Sequence, residues 1–131
     1  MIKWGILGAG NIAKRFAQSL TYEENAVLYA ISGRNPEKLQ AFQQEHPCEK
    51  VYLGHENLLA DPNVDAVYIG LPHDMHREWA LKAIHAQKAV LCEKPAVLNE
   101  KEMQEIMTAS QQEHVLFMEA MKSRFEPAYI K

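Results

Sequence analysis

Hydrophobic positions along this chain come in short runs, separated by stretches where they return every three or four residues. The first run, Lys3-Trp4-Gly5-Ile6-Leu7, is long enough for a buried strand. After it, Ile12, Phe16 and Leu20 recur every four residues, with Ala13 and Ala17 beside them. That spacing lays one apolar stripe along a helix. Between the two stands Gly8-Ala9-Gly10-Asn11, so a strand feeds a glycine turn and the turn feeds a helix.

The same alternation continues to the end. Residues 26–31 form a second apolar run, ending in Ser32-Gly33-Arg34-Asn35-Pro36. Asn35 suits a helix cap and Pro36 a first helical residue, with Leu39 and Phe42 on the apolar side. Residues 50–53 predict a short third strand, and residues 55–60 a helical turn or two closed by Asp61-Pro62-Asn63. Residues 65–70 predict a fourth strand with Leu71-Pro72-His73-Asp74 at its end. A helix over residues 75–86 follows, with Trp79, Ala80, Ala83 and Ile84 on one side. Residues 89–92 give a fifth strand running into Glu93-Lys94-Pro95. Asn99 with Glu102 resembles a capping box opening a last helix, and residues 115–118 read as a sixth strand.

Strands alternating with helices require parallel strands joined by right-handed crossovers. The predicted fold is therefore α/β, a doubly wound Rossmann-type domain with a mainly parallel sheet of about six strands. Ligands of such sheets sit beyond the C-terminal strand ends, where strand order reverses. Four loops of unusual composition fall there: residues 8–13, 32–35, 71–76 and 93–95. Their coincidence predicts one nucleotide site.

The glycine turn carries the most specific chemistry. Gly8 permits the reversal after the strand, Gly10 lets a pyrophosphate approach the backbone, and Ala13 lets the helix pack close to the strand. The helix N-terminus adds N–H groups and a partial positive charge. The tip of the second strand bears on cofactor choice. An Asp or Glu about 20 residues past the glycines would bond the adenosine ribose hydroxyls. Here Ser32, Gly33 and Arg34 stand instead. No carboxylate there repels a 2′-phosphate, and an arginine can hold one bidentately. NADP(H) is expected in preference to NAD(H).

Composition narrows the alternatives. The 131 residues suffice for one domain, and 47% hydrophobic with 24% charged residues is ordinary for a globular protein. A net charge of −3 favours neither nucleic acid nor an anionic membrane. No apolar run approaches the ~20 residues that span a bilayer. The chain enters a strand at once with no basic-then-apolar leader, so no secretion signal is expected. Cys48 and Cys92 read as free thiols, which points to a reducing, cytoplasmic setting. His73 and His76, with His55 or Cys92 in reach, lack an acidic partner and the four ligands of a structural zinc site, so no metal is expected.

Two of the loops give the chain a family likeness. Glu93-Lys94-Pro95, directly after Gln87-Lys88-Ala89-Val90-Leu91-Cys92, resembles the EKP segment of the glucose–fructose oxidoreductase and inositol dehydrogenase family (Gfo/Idh/MocA). Leu71-Pro72-His73-Asp74-Met75-His76 resembles that family's loop after the fourth strand, usually Pro-Asn-x-x-His. Residues 118–127 resemble its link into a second domain, in wording nearest to the dihydrodiol and xylose dehydrogenase branch. The resemblance implies an oxidoreductase moving a hydride between nicotinamide C4 and a sugar, polyol or related carbonyl compound. It implies that Gly8, Ala9, Gly10, Asn11 and Ile12 hold the pyrophosphate, with Ser32, Gly33 and Arg34 at the adenosine ribose. Leu71, Pro72, His73 and His76 would line the nicotinamide side. Glu93 and Lys94 would sit at the nicotinamide ribose and the reacting carbon.

Lys94 also has a physical case, since an ammonium near the substrate oxygen stabilises developing alkoxide charge or relays its proton. His73 departs from the family's Asn. The likeness divides the chain into a Rossmann domain over residues 1–120 and the start of a link over residues 121–131. The family's C-terminal α+β substrate domain is expected to lie outside this chain, along with the surfaces of a homo-oligomer. Two other readings stand beside the enzyme: an NAD(P)-binding sensor without turnover, and an interaction module.

Overall fold

The apolar runs pair into one sheet, in which the central strand Ala66–Ile69 is buried along its whole length and the edge strand Lys50–Leu53 is mostly exposed. The computed structural model describes residues 1–93 and 99–120. Its element order is β1 (Ile2–Leu7), α1 (Asn11–Leu20), β2 (Ala26–Gly33), α2 (Pro36–Glu45), β3 (Lys50–Leu53), α3 (His55–Leu59) and β4 (Ala66–Ile69). A 3-10 turn (His73–Met75), α4 (His76–His85), β5 (Ala89–Glu93), α5 (Glu100–Glu113) and β6 (Phe117–Ala120) complete it. The six strands lie in the order β3-β2-β1-β4-β5-β6, and every pair is parallel. Strand order reverses between β1 and β4. This is the doubly wound arrangement that the alternation of elements predicts.

Side chains of alternate residues leave the sheet on opposite faces, which builds two cores. Ile6, Ile31 and Tyr68 meet Ala13, Phe16 and Ala17 of α1 and Leu39 and Phe42 of α2 on one face. Leu7, Val67 and Ile69 meet Leu58 of α3, Trp79, Ala83 and Ile84 of α4, and Ile106 of α5 on the other. The caps follow the sequence. The Asn35 side chain accepts hydrogen bonds from the Glu37 and Lys38 amides, with Pro36 in the first turn. The Asn99 side chain accepts from the Glu102 amide.

Three details differ from the periodic reading. β6 begins at Phe117, not at Val115. His114 ends α5 in the left-handed region (φ 56°), and the Val115 amide is drawn back to the Ser110 carbonyl at 3.0 Å. Residues 73–75 form a 3-10 turn, so α4 proper starts at His76. Ile12 does not join the apolar stripe; it is 47% exposed in the first turn of α1, and the buried stripe starts at Ala13. The link expected over residues 121–131 lies outside the described residues.

Gly8 stands hard against backbone. Its φ is +105°, and a Cβ there would sit 2.7 Å from the Gly70 carbonyl oxygen. A Cβ on Gly10 would meet nothing within 4 Å. Gly8→Ala should therefore lower the unfolding free energy by about 3 kcal/mol, from backbone strain and the clash together. Gly10→Ala should change it by less than about 1 kcal/mol. Urea unfolding of the two variants checks this; equal effects would refute the assignment of the constraint to Gly8.

Candidate functional site

The C-terminal ends of β1, β2 and β4 meet at the strand reversal. Two backbone bonds tie them together: the Gly8 amide donates to the Ser32 carbonyl, and the Gly70 amide to the Leu7 carbonyl, each at 2.9 Å. The chain then turns through Gly8-Ala9-Gly10 into α1. Gly10 stands at the N-cap in extended conformation, with no side-chain cap and no acidic residue in the first turn. The partial positive charge of the helix end is left without a protein anion, as an anion site requires.

A cavity of about 270 Å³ opens over this turn. Gly8, Ala9 and Gly10 form one side, and Gly33, Arg34 and Asn35 at the β2 tip form another. Lys38 and Leu39 of α2 extend that wall. Leu71, Pro72 and Met75 face them, and His55 lies among the lining residues. None of these described residues carries a carboxylate, whereas Arg34 and Lys38 bring two cations. The cavity can accept an elongated polyanion with an apolar flank. A larger cavity of about 640 Å³ lies at the other end of the sheet, beside Ile2, Ala26, Ala66 and Ala89 at the starts of their strands. Its lining is mostly apolar, without a comparable cluster of cations.

Seven of the residues singled out from sequence line the smaller cavity: Gly8, Ala9, Gly10, Gly33, Arg34, Leu71 and Pro72. Asn11 and Ile12 are exposed in the first turn of α1. Ser32 is fully buried, and its Oγ lies 2.7 Å from His55 Nδ1. His76 is also buried, with Nε2 2.7 Å from the Leu71 carbonyl, so the ring donates there and pins the loop. His73 is exposed and meets the His76 ring edge to face at 5.1 Å. Glu93 is half-buried at the end of β5 and accepts from the Tyr68 hydroxyl at 2.6 Å. Tyr68 in turn stacks on Phe16, with ring centroids 4.2 Å apart. Burial, reinforced by Glu93, raises the Tyr68 pKa and keeps the phenol protonated as the donor. Lys94 lies outside the described residues. Among the described residues, no three histidine, cysteine or acidic side chains group to hold a metal ion.

Asn35 and Met75 fall within the loops expected at the site but were not named as cofactor contacts, and Lys38, Leu39 and His55 were not expected to line it. Lys38 had a signal: the Asn35 cap and Pro36 place it in the first turn of α2, beside the β2 tip. His55 had a weaker one, since it directly follows the C-terminal end of β3 and Gly54. It is 4% exposed and rests edge-on against Trp79, at 5.0 Å between centroids. Burial lowers its pKa from the ordinary 6.5, and the Arg34 charge lowers it further against a small opposing effect of Glu56.

The chain is similar to known proteins along almost all of its length. The family model for oxidoreductases with an NAD-binding Rossmann fold, Gfo/Idh/MocA, matches residues 2–121. The trans-1,2-dihydrobenzene-1,2-diol dehydrogenase of Xenopus tropicalis is 37% identical over 97% of this chain and 39% of its own length. That of Homo sapiens is 35% identical over the same two shares. A 3-ketoreductase from Actinomadura kijaniata, solved in complex with NADP and TDP-benzene, superposes with a TM-score of 0.86 at 30% identity. That match covers 90% of this chain and 36% of the other. A putative myo-inositol dehydrogenase from Sinorhizobium meliloti gives 0.88 at 27% identity, over 99% of this chain and 39% of the other. The chain belongs to the Gfo/Idh/MocA oxidoreductase family and spans about two-fifths of the curated relatives it matches.

The depressed His55 pKa carries a pH dependence. The unfolded chain takes up a proton near 6.5 that the folded chain resists, so the unfolded state binds more protons below that pH. Stability should therefore fall as pH drops from about 7.5 towards 5. In His55→Phe that part of the slope should vanish. Urea midpoints at both pH values, compared between wild type and variant, check the sign; an unchanged slope in the variant would refute it.

Proposed function

We propose that this domain binds NADP(H) in preference to NAD(H) and serves an oxidoreductase acting on a sugar, polyol or related hydroxyl–carbonyl substrate. One observation carries the reading: the cavity at the strand reversal joins an uncapped helix end to two cations and lacks any carboxylate among its described lining residues. A 2′-phosphorylated dinucleotide has its anionic groups at matching places, a pyrophosphate in the middle and a phosphate at the adenosine end. The NADP-bound relative supports the choice by likeness only.

On this reading the backbone amides of residues 10–13 hold the pyrophosphate, with Asn11 and Ile12 in the exposed first turn. Gly8 and Ala9 shape the approach. Arg34 and Lys38 grip the 2′-phosphate, with Gly33 beneath it. The Asn35 cap fixes the turn that carries Lys38. Leu71 and Pro72 pack against the nicotinamide side, and His76 holds that loop by its bond to Leu71. His73 stands at its exposed edge. Glu93, oriented by Tyr68, faces the nicotinamide ribose.

The bound cofactor would supply the hydride at its nicotinamide C4. Lys94, the residue after Glu93, would place its ammonium at the substrate oxygen, stabilising alkoxide charge and passing on the proton. The remaining substrate contacts and the homo-oligomer interface belong to a second domain beyond this chain. The reading places the enzyme in the cytoplasm. Both described cysteines are free, and no described helix is long and apolar enough to cross a membrane.

Charge-assisted hydrogen bonds contribute about 1.5–3 kcal/mol each, so Arg34→Ala should weaken NADPH binding roughly 10- to 100-fold and NADH binding little. Lys38→Ala should follow the same pattern more weakly. Titration by reduced-nicotinamide fluorescence checks both; equal losses for the two cofactors would remove the NADP(H) preference. In a full-length enzyme carrying this domain, Lys94→Ala should abolish hydride transfer and spare cofactor binding. Turnover at the wild-type rate would refute the catalytic role, and this 131-residue chain alone should bind cofactor with little turnover.

A further inference from the structure

Among the described residues, Tyr68 is one of the largest fully buried side chains, yet it carries a hydroxyl. It leaves β4 on the side of the sheet that α1 covers. Its ring lies flat on Phe16 of α1, 4° from parallel with centroids 4.2 Å apart. Trp4 of β1 in turn meets Phe16 edge-on at 5.0 Å. In a close-packed core the Tyr68 ring cannot swing without displacing these neighbours. From this fixed ring the hydroxyl reaches Glu93 Oε2 at 2.6 Å, joining residues 25 apart in sequence. A carboxylate has no proton to give, so the phenol donates. The length is that of a charge-assisted bond.

Strand order places Glu93 relative to the cofactor, a step that rests on the NADP(H) reading above. Ile69 of β4 pairs with Cys92 of β5, so Glu93 stands one residue further on, level with the Gly70 that precedes Leu71. Across the site the order is β2, β1, β4, β5. Arg34 lies at the end of β2 with Lys38 nearby, the glycine turn follows β1, Leu71 and Pro72 follow β4, and Glu93 ends β5. With its 2′-phosphate at Arg34 and its pyrophosphate on α1, a dinucleotide carries its nicotinamide half on towards β4 and β5. Neighbouring strands lie about 4.8 Å apart, so β5 is about 10 Å from β1. A ribose beyond the pyrophosphate and a glutamate side chain cover that distance between them. A carboxylate free on both oxygens turns and offers either one. With Oε2 held by Tyr68, Oε1 is left for a ribose hydroxyl.

We propose that Tyr68 is a positioning residue for the nicotinamide end of the cofactor: by holding Glu93 Oε2 from a ring packed on α1, it presents Oε1 to a hydroxyl of the nicotinamide ribose. The same packing ties the orientation of Glu93 to the helix whose N-terminus takes the pyrophosphate. The two contacts are thereby held at a set spacing, and the adenosine end takes no part in it.

The test compares NADPH with adenosine 2′,5′-bisphosphate, which lacks the nicotinamide ribose, on this chain. Tyr68→Phe keeps the stacked ring and removes the hydroxyl alone. It should weaken NADPH binding about three- to tenfold, the worth of one net hydrogen bond, and leave the bisphosphate unchanged. Glu93→Ala should weaken NADPH at least as much. In Glu93→Ala, adding Tyr68→Phe should cost nothing more, because the side chain it positions is gone. A further arm uses NADPH analogues that lack one or the other hydroxyl of the nicotinamide ribose. At least one should bind the wild type about three- to tenfold more weakly than NADPH, and Glu93→Ala should not tell it from NADPH.

Equal loss of both ligands in Tyr68→Phe makes Tyr68 a part of the core only and overturns the proposal. Losses that add in the double variant overturn it too. If Tyr68→Phe fails to fold, the analogues decide: a wild type that binds both as tightly as NADPH overturns it. NADPH bound in preference to NADH, with none of these effects, leaves the cofactor reading standing and removes Tyr68. A wild type that binds neither NADPH nor the bisphosphate overturns both.

Discussion

The site depends on a missing Cβ. At Gly8 the backbone turns with φ +105° while the Gly70 carbonyl oxygen lies where a side chain would begin. Because nothing fills that space, β1 and β4 remain paired to their ends and α1 starts directly above the gap. The Gly8 amide then reaches the Ser32 carbonyl and the Gly70 amide the Leu7 carbonyl, so the three strand ends lock together. Ala13 continues the same economy. It is fully buried, and its Cβ is 3.6 Å from where a Gly70 side chain would start. A larger residue at either place would push the helix end away from the strand reversal and scatter the groups that converge there.

The electrostatics of the site come from placement and not from composition. The chain as a whole carries a net charge of −3. The cavity nevertheless presents positive potential, because the α1 dipole, Arg34 and Lys38 meet at one end of the sheet. The helix end contributes only because Gly10 leaves it uncapped. The contrast with α2 is instructive: Asn35 caps that helix with its own side chain and thereby occupies the amides of Glu37 and Lys38. One helix end is closed by the protein and serves as a mount for Lys38. The other is left open for an anion.

Much of this was legible in the sequence, for physical reasons that differ by residue. The strand–turn–helix at residues 3–20 could be read because glycine spacing and hydrophobic period are both local. The two caps at Asn35 and Asn99 were legible for the same reason. What the sequence hid depends on contacts between distant residues. Ile12 fits the four-residue spacing, yet in the first turn of α1 it is 47% exposed while Ala13 beside it is fully buried. Val115 has strand chemistry, but the left-handed His114 turns it back onto α5. His55 lies 23 residues from Ser32 in sequence, and no local pattern announces a pair that forms only when β2 and β3 align.

The polar residues of the crossover loops divide into two kinds that composition alone does not distinguish. Ser32, His76 and the pair of Tyr68 and Glu93 spend hydrogen bonds on the protein itself. Arg34 and Lys38 remain exposed at the cavity rim. Burial explains the division. A hydroxyl or imidazole removed from water must find a partner, and each of the first kind ties two segments together while doing so. Ser32 joins the β2 tip to the start of α3, His76 joins α4 to the loop before it, and Tyr68 joins β4 to the end of β5. The strand ends are thereby fixed relative to one another before any ligand arrives. Long exposed cations could not do that, since holding them in one rotamer costs entropy that water-exposed contacts do not return. Buried bonds set the shape, and the exposed cations stand at its rim.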